Sequence, residues 1–334
     1  MNVSCVPEVG LFASPDFLSL SLHFTTCLVT PIHLLGFYFI LLKTPEPMRS
    51  VKWHLLTLHF WTVLFDYTIT CLIIPFMLLP EMAAIVYGLL SYLEVPVFYQ
   101  AIWGFGCLGA VLISIVSIFE NRFYILCPFS EKKWSFWRRP WLGMHYWMTV
   151  VGLWLTVRPP NQESARLLVF QKLPCLPDFI YNGPVFVLDL DYKVTAIFFT
   201  VFVVFLSAET TIFAVGLGWS AMQILSKSSS PKTFRIQKQF MIALVIQVEV
   251  PLIMFCIPFL YAAVACFSGY YNQSATNLLV LTASAHGLVS TTAMLLVHKP
   301  YREELAFLLL RDCGPFGEWR RRRKLKKVVM IHVI

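Results

Sequence analysis

The chain has 334 residues, of which 58% are hydrophobic, 16% aromatic and only 13% charged, with a formal net charge of +8. A soluble domain is about one quarter charged, so this composition, with a mean hydropathy of +0.70, sets a soluble fold aside. The surplus cations call for an account by position rather than for a nucleic-acid partner, which is not expected.

A hydrocarbon core about 30 Å thick needs about 20 apolar residues of helix. Such runs occupy residues 17–42, 53–79, 97–119, 141–157, 194–225, 240–267 and 275–297. The expected fold is an all-α membrane protein, a seven-transmembrane helix bundle filling residues 1–312, with a basic tail at 313–334. The first 16 residues hold no Lys or Arg, and the run after them is too long for the core of a signal peptide, so the first span is expected to insert the chain. Prolines mark the ends: Pro45 and Pro47 follow the first run, Pro80 the second and Pro159 with Pro160 the fourth. Trp53, Trp137, Trp141 and Trp219 fall near one set of span ends, and Tyr92, Trp154, Tyr270 and Tyr271 near the other, where interfacial aromatics collect.

Lys and Arg are retained on the cytoplasmic side. The connections after spans one, three and five hold three, five and four of them, and the segment after span seven holds ten, together 22 of the 26. Only Arg158, Arg166, Lys172 and Lys193 fall on the other side. The N-terminus is therefore expected outside and the C-terminus inside. The longest outer connection, 158–193, has enough material for a lid over the bundle mouth. Asn2 and Asn272 head Asn-X-Ser triplets on the outer side, where glycosylation is expected.

Topology also sorts the nine cysteines. Cys27, Cys71, Cys107 and Cys256 lie within spans, Cys127 and Cys313 face the reducing interior, and only Cys5, Cys175 and Cys266 reach the oxidising side. A Cys5–Cys175 bridge is the first expectation, with Cys175–Cys266 or no bridge as alternatives.

No GxxxxGK, HExxH, GxSxG or CxxC pattern occurs, so neither an enzyme nor a cofactor or metal site is expected. Ionisable residues inside spans are the informative exceptions, since each costs roughly 2.5–3.5 kcal/mol at the centre on insertion scales. They are Asp66, Glu209 and Glu249. Asp66 and His286 lie midway along their spans, and a polar cluster of Asp66 with His286 or Ser290 is expected, the alternative being a protonated Asp66 bonded to a backbone carbonyl. At the inner end of the third span stands Glu120-Asn121-Arg122. After the seventh come His298-Lys299-Pro300-Tyr301-Arg302 and then residues 303–311, whose Leu305, Phe307, Leu308 and Leu309 suit an amphipathic helix on the membrane surface. The cations of Arg320–Lys327 are expected to attract anionic lipid, at about 1 kcal/mol each, with Cys313 as a palmitoylation candidate.

Pro45-Glu46-Pro47-Met48, Leu58-His59-Phe60-Trp61 with Asp66, Glu120-Asn121-Arg122 and His298-Lys299-Pro300-Tyr301-Arg302 resemble the nematode serpentine chemoreceptors of class H over nearly the whole chain. The resemblance implies a G-protein-coupled chemosensory receptor in the plasma membrane of sensory neurons and their cilia. It implies that an acid and an Arg at the inner end of span three form a lock that opens toward a heterotrimeric G protein, a role carried here by Glu120 and Arg122. Departures from the wider rhodopsin-like pattern are the missing NPxxY in span seven and the missing cysteine at the outer end of span three.

A small-molecule ligand would sit in an apolar cavity of the outer half, with Tyr99, Gln100, Trp103, Phe199, Phe202, Phe255, Phe259 and Asn277 as candidate contacts. Pro251 and Pro258 are candidate kinks in span six. The competing class is a transporter or ion channel whose path is lined by Asp66, Glu209 and Glu249, and a third is an accessory protein that escorts other receptors. The seven spans show no inverted repeat, which counts against transport.

Overall fold

A computed structural model describes residues 7, 10–126, 131–173, 175–191, 193–226, 245–246 and 253–310. Asn2, Cys5, Glu249, Pro251, Cys313 and the basic tail lie outside the described residues. The long helices are α1 (Pro15–Leu42), α2 (Lys52–Tyr67), α4 (Val97–Leu126), α5 (Glu131–Thr156), α8 (Lys193–Ser226), α9 (Ile253–Ser268), and the consecutive pair α10 (Gln273–Ser284) and α11 (His286–Val297). Short α3 (Leu89–Tyr92) precedes α4, while α6 (Gln162–Lys172) and α7 (Asp178–Tyr181) belong to the long outer connection. Helix α12 (Lys299–Leu310) follows α11.

Among the described residues, five helical stretches are long and apolar enough to cross a membrane: Pro15–Leu42, Lys52–Leu72, Val97–Ile125, Ile197–Ser220 and Gln273–Val297. The other two are α5, whose first turns carry charge, and α9, which is apolar but shorter.

Helix α1 starts where its sequence says it should. The Ser14 hydroxyl accepts from the Phe17 N–H at 3.1 Å, Pro15 takes the first turn and Asp16 faces the positive end of the helix dipole. Its buried residues Leu18, Leu22, Val29, His33, Gly36, Phe39 and Ile40 form one stripe. Hydroxyls tie that stripe to the next helix, Thr26 to Thr70 at 2.9 Å and Thr30 to Tyr67 at 2.8 Å.

Span two is shorter than its apolar run. Helix α2 widens into a π-turn at Thr68–Leu72 and ends there rather than at residue 79. Pro75 lacks an N–H and disfavours helical backbone before it, and Ile74 sits at φ +46°. Strand β1 (Pro75–Met77) then pairs antiparallel with β2 (Met82–Val86), which pairs antiparallel with β3 (Phe186–Asp189) from the long outer connection. The expected all-α chain thus carries one small sheet outside its bundle.

That sheet, with α6 and α7, forms the lid. Burial alternates along β2, with Ala83 and Ile85 inward. Helix α6 buries Ala165 and Val169 four residues apart, and Asn161 caps its start. Gln162 copies a strand neighbour, donating from Nε2 to the Val187 carbonyl at 3.0 Å and accepting the Val187 N–H at 2.9 Å. Phe76, Leu78, Ile85 and Val187 pack with Leu18, Leu22 and Val280 of the bundle into one buried cluster. The outer mouth is therefore filled by the lid's own side chains.

A second, larger core runs inward through α1, α2, α4 and α11 to Tyr301 of α12. Tyr301 is fully buried, and its hydroxyl lies 2.7 Å from the Thr44 hydroxyl. The helix after the last span is thus docked on the bundle.

Candidate functional site

Three polar constellations mark the described bundle, around Asp66 at its middle, around Glu209 between α5 and α8, and around Glu120 at its inner end. In the middle, Asp66 is fully buried, with Oδ2 3.0 Å from His33 Nε2 and Oδ1 2.9 Å from His286 Nδ1. His33 Nε2–H donates to the carboxylate, which leaves Nδ1 to accept from the Thr291 hydroxyl at 3.3 Å. His59 Nε2–H donates to the His33 carbonyl at 3.0 Å. The His286 contact is close but not aligned as a hydrogen bond. That ring is packed instead against Phe255 and Phe65, centroids 4.5 and 5.4 Å away.

Two glycines make the cluster possible. A Cβ at Gly287 would run into the Asp66 carboxylate, and one at Gly36 would stand 2.6 Å from the His59 ring. Helices α10 and α11 meet at Ala285, which keeps right-handed helical backbone, so the span expected at 275–297 runs as one helical stretch with a one-residue turn before His286. The structure brings Asp66 and His286 together. Ser290 is buried but is not the second partner; His33 of α1 is. His33 lies within the first apolar run, and counting histidines as well as acids among intramembrane ionisable residues would have found it.

Glu209 of α8 has a similar arrangement elsewhere. Its Oε2 is 2.8 Å from His145 Nε2, and its Oε1 accepts from Trp141 Nε1 at 3.1 Å, both on α5. His145 Nδ1–H donates to the Trp141 carbonyl at 2.8 Å, which turns Nε2 toward the carboxylate. The partners of Asp66 come from α1 and α11 and those of Glu209 from α5, so the two acids serve different helix interfaces.

At the inner end, Glu120 and Arg122 do not form a pair. Residues two apart on a helix lie about 200° apart around it and cannot face one partner. Glu120 turns to α5: Oε1 accepts from Arg138 Nε at 2.7 Å and from Trp134 Nε1 at 2.7 Å, and Oε2 accepts from an Arg138 terminal nitrogen at 2.9 Å. The same nitrogen donates to Asn121 Oδ1 at 3.0 Å, and the guanidinium lies 4.1 Å from the Tyr124 ring centroid.

Arg122 turns toward the first inner connection and the end of α11. It reaches the Ser50 hydroxyl at 3.5 Å, and Asn121 Nδ2 donates to the Ser50 carbonyl at 3.2 Å. His298 lies close enough to feel Arg122. Burial first, and the Arg122 charge second, hold its imidazole down at about 4. Sequence reading missed Arg138 because a cation in an inner connection looks like any other positive-inside residue until α4 and α5 are packed together.

The eight candidate ligand contacts do not converge. Tyr99 and Phe259 are exposed on the bundle's flank. Gln100 is buried and donates to the Val95 carbonyl at 2.7 Å, while Trp103 donates to the Thr68 hydroxyl at 3.1 Å. Phe199 lies on Phe105, and Phe202 packs with Ile113, Val116 and Leu206. Asn277 donates to the carbonyls of Phe12 and Ser14 at 2.8 and 3.3 Å. Phe255 alone borders the Asp66 cluster, through His286. Cavities of about 410 Å³ between α4 and α8 and about 140 Å³ between α2, α4 and α5 are lined by none of the eight.

Cys175, on the outer side, is disulfide-bonded, while Cys27, Cys71, Cys107, Cys256 and Cys266 keep their thiols. The Cys175–Cys266 alternative is thereby removed, and Cys5 lies outside the described residues. Asn272 caps α10, accepting the Ala275 N–H at 2.8 Å while its Nδ2 donates to the Tyr270 hydroxyl at 3.2 Å. A glycan on that nitrogen would have to share it with this contact.

A family model described as "Serpentine type 7TM GPCR chemoreceptor Srh" matches residues 13–311. The protein named serpentine receptor class H-72 of Caenorhabditis elegans is 23% identical over 310 residues, covering 89% of this chain and 87% of its own length. The crystal structure of squid rhodopsin matches with a TM-score of 0.51 at 12% identity, over 93% of this chain and 89% of that one, a likeness of fold. The basic inner connections orient that seven-helix fold with its N-terminus outside. The chain belongs to the serpentine seven-transmembrane chemoreceptor family Srh.

Proposed function

We propose that this receptor binds a small external molecule, an odorant or similar apolar cue, and responds by activating a heterotrimeric G protein from the plasma membrane of a sensory neuron, most naturally at its cilium. The observation that carries the reading is the inner end of α4. There Glu120 and Asn121 hold α5 while Asn121 and Arg122 hold the first inner connection. A change in the tilt of any of these elements must break polar contacts at the surface that a G protein would meet. The basic tail adds attraction to anionic lipid beside that surface.

The Asp66 cluster fits the same reading. It joins α1, α2 and α11 beside the one-residue turn at Ala285, and Phe255 of α9 rests on it. A ligand that moves α9 would be read there. Transport through a path lined by acids gains no support, because Asp66 and Glu209 serve separate interfaces.

The test is G-protein nucleotide exchange in cells bearing the full chain at the surface, over a panel of volatile and water-soluble cues. A cue-dependent signal in the wild type that falls at least tenfold in Arg122→Ala at equal surface level is expected. Silence of a well-expressed wild type across cues and several G proteins would refute it, and cue-independent ionic current would favour the channel.

A further inference from the structure

We propose that the tip of the β1–β2 hairpin, residues 78–81, is a built-in occupant of a groove between the outer ends of α9 and α10, held there until an external molecule with a branched apolar group and a carbonyl takes its place. The proposal rests on the receptor reading above and names the position and the chemistry of its cue.

The tip is seated by groups that a small molecule can copy. Leu79 is 5% exposed and forms one apolar cluster with Tyr261, Ala262 and Ala265 of α9 and Leu279 of α10. Two hairpin carbonyls supply the polar contacts: that of Met77 accepts from the Gln273 amide nitrogen at 3.0 Å, and that of Pro80 accepts from the Cys266 thiol at 3.4 Å. Gln273 is 2% exposed, and its amide is fixed from both ends, donating to Asn277 Oδ1 at 3.0 Å and accepting from the Tyr271 hydroxyl at 3.2 Å. A buried amide left without an acceptor carries its full desolvation penalty. The groove therefore favours an occupant that brings a carbonyl along with its apolar group.

The tip is fastened at the rim by charge rather than by further core. Lys172 Nζ of α6 lies 2.9 Å from Glu81 Oε2, with the lysine side chain 51% exposed, and an ion pair so exposed adds little to stability. In this way the chain leaving α2 crosses the mouth and ties α9 and α10 to the lid. These ties belong to the arrangement in which Phe255 of α9 rests on His286. Displacing the tip frees the outer end of α9, and the population shifts away from that arrangement. Weakening the tip does the same without a ligand and leaves the groove open for one.

The experiment uses full-length protein in cell membranes and reads the Cys266 thiol beneath the tip. Its labelling by a membrane-impermeant maleimide is followed by peptide mapping, with Cys266→Ser as the blank, and basal nucleotide exchange is measured with purified heterotrimeric G proteins. Wild type is compared with Leu79→Ala and Glu81→Gln at matched surface level. Labelling is expected to rise about tenfold in Leu79→Ala, which removes the buried anchor, and about two- to fivefold in Glu81→Gln, which removes only the rim pair. Basal exchange should rise in the same order. Isobutyl methyl ketone should slow Cys266 labelling in Leu79→Ala toward the wild-type rate, whereas the parent alkane, lacking the oxygen, should not.

Unchanged labelling in both variants would overturn the tip as the cover of the groove. Faster labelling with basal exchange equal to or below wild type would make the tip a structural filler, and the receptor reading would stand. Protection by neither compound, or by the alkane as well as the ketone, would overturn the carbonyl-reading groove. If neither wild type nor any variant stimulates exchange above membranes lacking the protein, the receptor reading fails and the built-in occupant with it.

Discussion

At the residue scale, single atoms decide which polar contacts form. Asp66 is tolerated inside the membrane because His33 and His286 reach its two oxygens, at 3.0 and 2.9 Å. Its replacement by Ala would leave both rings facing an apolar gap, and a loss of about 3–5 kcal/mol is expected, read as a lowered thermal midpoint in detergent. Gly287→Ala should cost about 1–3 kcal/mol through overpacking against the same carboxylate. Gly106→Ala meets nothing within 4 Å and should be neutral or gain a few tenths of a kcal/mol. Equal midpoints for the two glycine variants would refute the close approach. The presence of Asp66 in a span was plain in the sequence, and so was the depth of His286. Its partnership with His33 was not, because residues 33 positions apart meet only when α1 and α2 pack.

At the element scale, interruptions shape the spans more than hydropathy does. The run at 53–79 stays apolar to its last residue, yet the chain leaves helix at Leu72, and residues near its end become a strand. Hydropathy reports how willingly a segment leaves water. It does not distinguish a lipid-crossing helix from a strand buried beneath a lid. The lid itself is held by Cys175, whose expected partner is Cys5. Cys175→Ser should lower stability by about 2–4 kcal/mol, and non-reducing peptide mapping that finds Cys5 as a free thiol would refute the pairing.

The junction of α11 and α12 makes a pH prediction. His298 is held at about 4 against an ordinary 6.5, chiefly by burial. The folded state therefore binds fewer protons than the unfolded state between those values, and stability falls as pH drops through that window. About 2 kcal/mol should be lost between pH 7 and pH 5. In His298→Gln that acid sensitivity of the thermal midpoint should shrink, and an unchanged pH profile would refute the assignment.

At the scale of the whole molecule, composition and the placement of cations already implied a bundle of seven spans, its orientation and the side on which disulfides form. These follow from transfer between water and hydrocarbon and from charge retention, which act on each segment separately and are therefore written along the chain. The short motifs likewise carried the resemblance to class H serpentine receptors. The tertiary structure alone decided that Glu120 takes Arg138 rather than Arg122, that Asp66 takes His33 and Glu209 takes His145, and that neither of the two cavities described above is lined by any of the eight ligand candidates. It also decided that the outer connection closes the mouth with two helices and a strand added to the hairpin that follows α2. Each of these depends on which face of one helix meets which face of another, and no local property of the sequence specifies that.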